Sequence, residues 1–397
     1  MRVTTGLEQT QFLSAINQLE SSISQTQLQI SSGEAFTTAA QDPVAAGLVS
    51  NYDQVLAQSQ QYGTNGSAAQ SSLNTEDSTL TQIQNALQSL RDLALQANSG
   101  NLSQQNLGAL ATQATQIQQT LLALANTQDG SGNYIFAGYN TQSAPFALTA
   151  TGSTYAGDQG QRQVQIGPAQ TVVIGDNGDL VFNQIKTGNG AFTVSAAAGN
   201  SGSVLVGASS VTSAAAYAGG TYTISFTSPT TYQVLDSANA VVQSGAYTSG
   251  QAITFAGAQV TLSGTPATGD TFAVAPSANQ SLFTSVQNLV NTLSQAAGGP
   301  TSQVSLSNSI SASIENIDQA LQQMQDVQAS VGARLNTITT QQAVGTSQQT
   351  QLKESISKLQ SLDYASAITT LDQQNTTLSA ALQAYTLTQG LSLFKYL

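Results

Sequence analysis

The chain has 397 residues, enough for several domains of about 100–200 residues each. Charged residues make up 7% of it, against about 25% in ordinary globular chains, and 8 Lys and Arg set against 20 Asp and Glu leave a formal net charge of −12. The lack of Cys, His and Trp excludes disulfides, thiolate and imidazole catalysis and most zinc sites, while basic residues scattered singly argue against binding nucleic acid or an anionic membrane.

The opening stretch MRVTTGLEQTQFLSAINQLE has no apolar core of a secretory leader, so any export is expected by a route without a cleaved leader. Phe12, Ile16, Leu19, Ile23 and Ile30 then fall on a four-three-four rhythm, with Thr26 in the skipped place. That spacing predicts the seam of a coiled-coil helix. Gly33 is suited to end it, and Asp42 followed by Pro43 reads as an N-cap with proline in the first helical position.

The helical rhythm resumes at Val44 and strengthens through Leu73, Leu80, Ile83, Leu87 and Leu90. Glu76 and Asp77 stand just ahead of the strongest part of it and are expected near a helix N-terminus, where the dipole favours acids. QANSGN breaks the pattern near Gly100, and Leu107, Leu110, Ala114, Ile117, Leu121 and Leu124 carry a further seam. The segment DGSGNYIFAGYNTQSAPF at 129–146 reads as an aromatic-anchored connection into a hairpin.

Residues 147–279 lose the helical period. Alternating apolar and polar residues, β-branched enrichment and recurrent turn signals predict an all-β domain, sandwich or barrel-like. GDNGD at 175–179 is read as a hairpin turn, since it lacks the oxygen-ligand series of a calcium loop. Ile310, Ile314, Ile317, Leu321, Met324, Val327 or Gln328, Val331, Leu335 and Ile338 then form a long seam that Ile356, Leu359, Leu371, Leu378, Leu382 and Tyr385 continue. One helix over about 303–390 is expected, with Gly345 a candidate kink.

The expected fold is therefore multidomain α+β: a long antiparallel helical coiled coil or bundle built from both chain ends, with the β domain inserted. The divisions fall at 1–43, 44–146, 147–279, 280–362 and 363–397. The middle seams are expected to be intramolecular core. The terminal seams, Phe12 to Ile30 and Leu371 to Leu397, have too little chain left to cover them. Phe12, Ile16, Leu19, Ile23, Ile30, Leu371, Leu378, Leu382, Tyr385, Leu391, Leu393, Phe394 and Leu397 are accordingly candidates for an assembly interface. No catalytic, cofactor-binding or metal-binding set is expected. No run of about 18 apolar residues predicts a membrane span.

Four stretches carry a resemblance: ISSGEAFTTAAQDPVAAGL at 30–48, GNYIFAGYNTQSAPF at 132–146, YAGDQGQRQVQIG at 155–167 and DYASAITTLDQQNTTLSAALQAYTLTQGLSLFKYL at 363–397. Together they resemble the bacterial flagellin family, in its hook-associated branch, with Asp42, Pro43, Tyr134, Phe136, Gly138, Tyr139 and Phe146 in the matching motifs. The resemblance implies a non-enzymatic structural subunit, secreted to the flagellum through its export apparatus, that connects hook to filament. It also implies the partners: further copies of itself in a ring, the first hook-associated protein, flagellin and an export chaperone, with no nucleic acid and no membrane. Other functions that the residues leave open are a filament-forming flagellin, a carbohydrate-binding adhesive protein acting through the β insertion, and a carboxylate-dependent hydrolase.

Overall fold

The computed structural model describes residues 2–100, 102–299 and 301–390. Its helices are α1 (Arg2–Ser32), α2 (Pro43–Ala97), α3 (Gln104–Ala125), α4 (Leu282–Gly298), α5 (Gln303–Gln360) and α6 (Tyr364–Gly390). The described residues fall into two compact units, one built from those within 1–64 and 341–397 and the other from those within 65–340. α2 and α5 contribute to both.

In the first unit, α1 runs antiparallel to α6. Its helix stops where Gly33 adopts φ 77°, a left-handed conformation that glycine takes without steric cost. The Asp42 carboxylate then accepts from the Val44 and Ala45 N–H groups at 3.1 and 2.9 Å, so α2 is capped as its Asp-Pro start predicts.

The expectation of one helix over 303–390 is not met. α5 passes through Gly345 without interruption and ends at Gln360. Asp363 starts α6 afresh, its Oδ1 accepting from the Ala365 N–H at 3.0 Å. The break is held from across the pair: the Ala35 N–H donates to the Gln360 carbonyl at 2.7 Å and the Leu362 N–H to the Gly33 carbonyl at 3.0 Å. Two chain breaks side by side thus satisfy each other's backbone groups, which neither helix end could do alone.

In the second unit, the rest of α2 and α5 join α3 and α4 in a bundle. Leu73, Leu80, Ile83, Leu87 and Leu90 of α2 have no exposed surface, and Leu121, Leu289, Ile310, Ile317 and Met324 pack in the same core. Polar pairs set the antiparallel register: Gln84 to Gln328 at 2.8 Å between α2 and α5, and Gln118 to Gln287 at 2.9 Å between α3 and α4. Glu76 and Asp77 lie inside α2, far from its Pro43 start, so the dipole reading of these acids is corrected.

Two hairpins follow α3: β1 (Phe146–Thr149) with β2 (Gly152–Tyr155), and β3 (Gln163–Gly167) with β4 (Gln170–Val173). GDNGD is not a hairpin turn. It leads into a π-helical turn at Asp179–Asn183, where the Asn177 side chain accepts from the Leu180 N–H at 2.9 Å. A short ladder of β5 (Ile185–Lys186) with β14 (Asn279–Gln280) closes the way out of the bundle. Ile166, Val172, Val181, Phe182 and Ile185 belong to the bundle core, so the segment 146–185 packs with the helices although its local pattern is β-like.

The remaining strands are β6 (Phe192–Ala196), β7 (Leu205–Val211), β8 (Tyr222–Ser228), β9 (Thr231–Asp236), β10 (Val241–Ala246), β11 (Ala252–Phe255), β12 (Ala258–Ser263) and β13 (Thr271–Pro276). They form a five-stranded sheet, β10-β9-β8-β13-β6, and a three-stranded sheet, β11-β12-β7, all antiparallel. Ala258, Val260 and Leu262 of β12 point into a core shared with Phe226, Val234 and Phe272, while Gln259 and Thr261 alternate outward. This is a sandwich. Asn308 of α5 holds it to the bundle, accepting from the Val206 N–H at 2.8 Å and donating to the Val204 carbonyl at 3.0 Å.

Candidate assembly interface

The α1/α6 pair positions the described part of the terminal seams. At its outer end the rings of Phe12 and Tyr385 stack with centroids 4.8 Å apart and planes 9° from parallel. Gln9 donates to the Tyr385 hydroxyl at 3.2 Å. Further along, the Thr26 hydroxyl donates to Gln374 at 3.1 Å and also reaches the Ser22 carbonyl at 3.0 Å. The polar residue in the skipped seam position therefore serves as a register pin between the two helices.

Burial along this pair is thin. Ile23, Thr26 and Ala367 are its buried residues among those described. Phe12, Ile16, Leu19, Ile30, Leu371, Leu378 and Tyr385 are half-buried, and Leu382 is 46% exposed. Leu391, Leu393, Phe394 and Leu397 lie outside the described residues. The seam named from the sequence thus turns mostly inward, between α1 and α6.

Apart from Leu382, the exposed apolar residues of the pair lie outside the seam. Leu7, Leu13, Leu28, Ile368 and Leu387 are exposed, Leu387 to 69%. Each is an apolar side chain outside the seam, and an apolar residue off the stripe is the signal available for it. Two helices can shield one face each, so apolar residues beyond that face stay in water. On α2 in the same unit, Val44 and Leu48 are exposed as well.

The motif residues have a different role. Phe136 packs edge-on against Phe182 at 5.1 Å, and Phe146 contacts Phe182, Tyr155 and Phe283 at 5.0 to 5.4 Å. Tyr134 is half-buried, and Tyr139 is 65% exposed. Gly138 takes φ 70° with Asp158 so close that a Cβ has no room. Asp158 accepts from the Tyr139 N–H at 3.0 Å and the Gly160 N–H at 2.7 Å, and these backbone donors hold its carboxyl below the usual range. Burial pushes the Tyr155 hydroxyl up to about 12, and it donates to the Phe136 and Asp158 carbonyls at 3.1 and 2.7 Å. These residues plug and clasp one end of the bundle core.

Among the described residues no cluster of His, Cys, Asp or Glu could hold a metal ion, and no helix is long and apolar enough to cross a membrane.

The family model of the bacterial flagellin N-terminal helical region matches residues 3–141, and that of the C-terminal helical region matches residues 314–397. Flagellar hook-associated protein 3 of Salmonella typhimurium is 35% identical over 187 residues, 47% of this chain and 58% of that protein. The chain thus matches little more than half the length of that curated relative. The crystal structure of Xanthomonas campestris FlgL superposes with a TM-score of 0.70 at 32% identity, covering 77% of this chain and 99% of that one. The flagellar junction protein FlgL from Legionella pneumophila gives 0.71 at 30% identity, covering 79% and 100%.

Proposed function

We propose a function from one premise: the chain belongs to the flagellar hook-associated protein 3 family, within the bacterial flagellins. In this reading it is a non-enzymatic structural adaptor at the junction between hook and filament. It lies outside the cell, in a ring of its own copies, with the first hook-associated protein on one side and flagellin on the other, after delivery with an export chaperone.

The observation that carries the mechanism is the incomplete burial of the α1/α6 pair, with Leu13, Leu28, Ile368, Leu382 and Leu387 left in water. Covering these residues by helices of neighbouring subunits removes apolar surface at about 25 cal/mol per Å², against the entropy of ordering the helices. The seam from Phe12 to Ile30 and from Leu371 to Tyr385, turned inward except at Leu382, prepares that surface by fixing the register of the pair. The seven residues 391–397 extend the same apolar character and join the interface.

Imaging cells that lack the protein tests the role. Hooks without filaments, with flagellin released into the medium, are the expected result; attached filaments of normal length would overturn it. A filament-forming flagellin is the second reading, favoured by the match of both helical ends to flagellin models. Purified protein added to filament seeds separates the two, since unlimited elongation belongs to a flagellin and capped seeds to an adaptor.

A further inference from the structure

Inside the bundle unit lies a set of charges that the assembly surface does not use. Glu76, within α2, is 1% exposed, and Asp176, in the segment between β4 and the π-helical turn, is 2% exposed. Arg334 of α5 grips Asp176 with both terminal nitrogens, Nη2 to Oδ1 at 2.9 Å and Nη1 to Oδ2 at 3.0 Å, and also donates to the Ser330 hydroxyl at 3.1 Å. The Asp176 N–H donates to Glu76 Oε1 at 3.0 Å, while Glu76 Oε2 is buried without any donor.

Two buried carboxyls therefore share one guanidinium, and Asp176 has taken it. An ionised Glu76 would be an anion out of water next to another anion, with one oxygen unsatisfied. The two other acids nearby are engaged elsewhere. Asp77 accepts from Gln328 at 2.9 Å, and Asp179 accepts from Gln159, Asn183 and Gln184. Arg162 has Nη2 beside Gly175, buried and without an acceptor, and the charges that act on Glu76 are those of Asp176 and Arg334.

We propose that Glu76 is held in the native protein as a neutral acid whose Oε2 hydroxyl donates to the Asp176 carboxylate. The proton turns an orphaned acceptor into a donor, and it satisfies the site without a second cation. α2, α5 and the segment that leads from the hairpins toward the sandwich are thereby tied together by a latch that needs one proton. This device goes beyond the adaptor role and does not depend on it.

The latch has a definite pH sense. Burial, then the Asp176 charge, pushes the Glu76 carboxyl up from 4.5 to about 8, outweighing the Asp176 N–H and Arg334, which pull it down. An unfolded Glu76 ionises around 4.5, so between that value and about 8 the folded chain holds one proton more. The latch contribution is whole below that window and is lost as pH rises through it. Within the window each pH unit raises the unfolding equilibrium constant by about tenfold.

Carbon-13 NMR of the full chain, labelled at glutamate carboxyls, reads the proton directly. A Glu76 midpoint displaced to about 8 is expected, and a midpoint near 4.5 would overturn the proposal. Thermal unfolding across the same pH range gives the second readout. Glu76→Gln keeps an acceptor for the Asp176 N–H and a donor for its carboxylate, so it should match the parent at acid pH and lose the decline toward alkaline pH. An unchanged decline in Glu76→Gln would overturn the latch, and the native-chain titration decides the matter even where the variant does not fold.

Discussion

α1 and α6 carry the same four-three spacing of apolar residues as the helices of the bundle unit, yet the two sets of seams are buried very differently. Leu80, Leu87 and Ile317 in the bundle have no exposed surface, whereas Phe12, Leu378 and Tyr385 remain partly exposed. The stripes are alike; the number of helices facing them is not. A bundle helix meets neighbours on several sides, while α1 and α6 have each other within their unit. Heptad spacing thus specifies that a helix wants partners, and the count of partners within the chain decides whether the want is met at home or by assembly.

Three substitutions sharpen that contrast, beginning with the largest effect. Leu87→Ala, in the filled bundle core, should cost about 2–5 kcal/mol in a denaturant titration, because the lost contacts leave a cavity among rigid neighbours. Phe12→Ala should cost less, about 0.5–1.5 kcal/mol from the lost ring stack, and should appear as faster amide exchange in α1 and α6 with the bundle amides unchanged. Leu382→Ser should move the stability of the free chain by less than about 0.5 kcal/mol, as nearly half of its surface is already exposed. The same variant should nevertheless fail to restore filaments in cells lacking the protein. Full restoration would show that this outer face is not the one neighbours cover.

Much of the architecture was legible because its causes are local. The Asp42–Pro43 start and the Gly33 stop follow from capping and φ preferences, and both stand in the structure. The seams from Leu107 to Leu124 and from Ile310 to Ile338 read as core, and both pack in the bundle core. The apolar rhythm runs straight across residues 361–363, although Asp363 ahead of Tyr364 and Ala365 is itself an N-cap signal. Its decisive partners, Gly33 and Ala35, are far away in sequence, and no local pattern shows them. Segment 146–185 carries β-type alternation, and a strand pattern does not say whether its apolar face meets a sheet or a helix bundle.

The candidate site was legible in the same divided way. Phe12, Ile23 and Tyr385 were picked out by spacing, and the structure brings Phe12 and Tyr385 together on facing helices. Leu13, Leu28 and Leu387 fall outside that spacing, and off-stripe leucines become notable only once the stripe is occupied. Glu76 was legible only as an acid in a helix. Its meaning comes from Asp176, 100 residues further along the chain, and from Arg334, which pairs with Asp176 across another 158 residues.

By itself the sequence determined the helical and strand periods, the caps, the α–β–α order and the lack of groups for thiolate, imidazole or disulfide chemistry. Those properties depend on residue type and on neighbours a few positions away. The tertiary structure alone decided which apolar stripe is covered within the chain, where the second helical half breaks, and which buried acid has no cation of its own. Burial and charge pairing are set by what lies across a space from a side chain, and that is fixed only when distant segments meet.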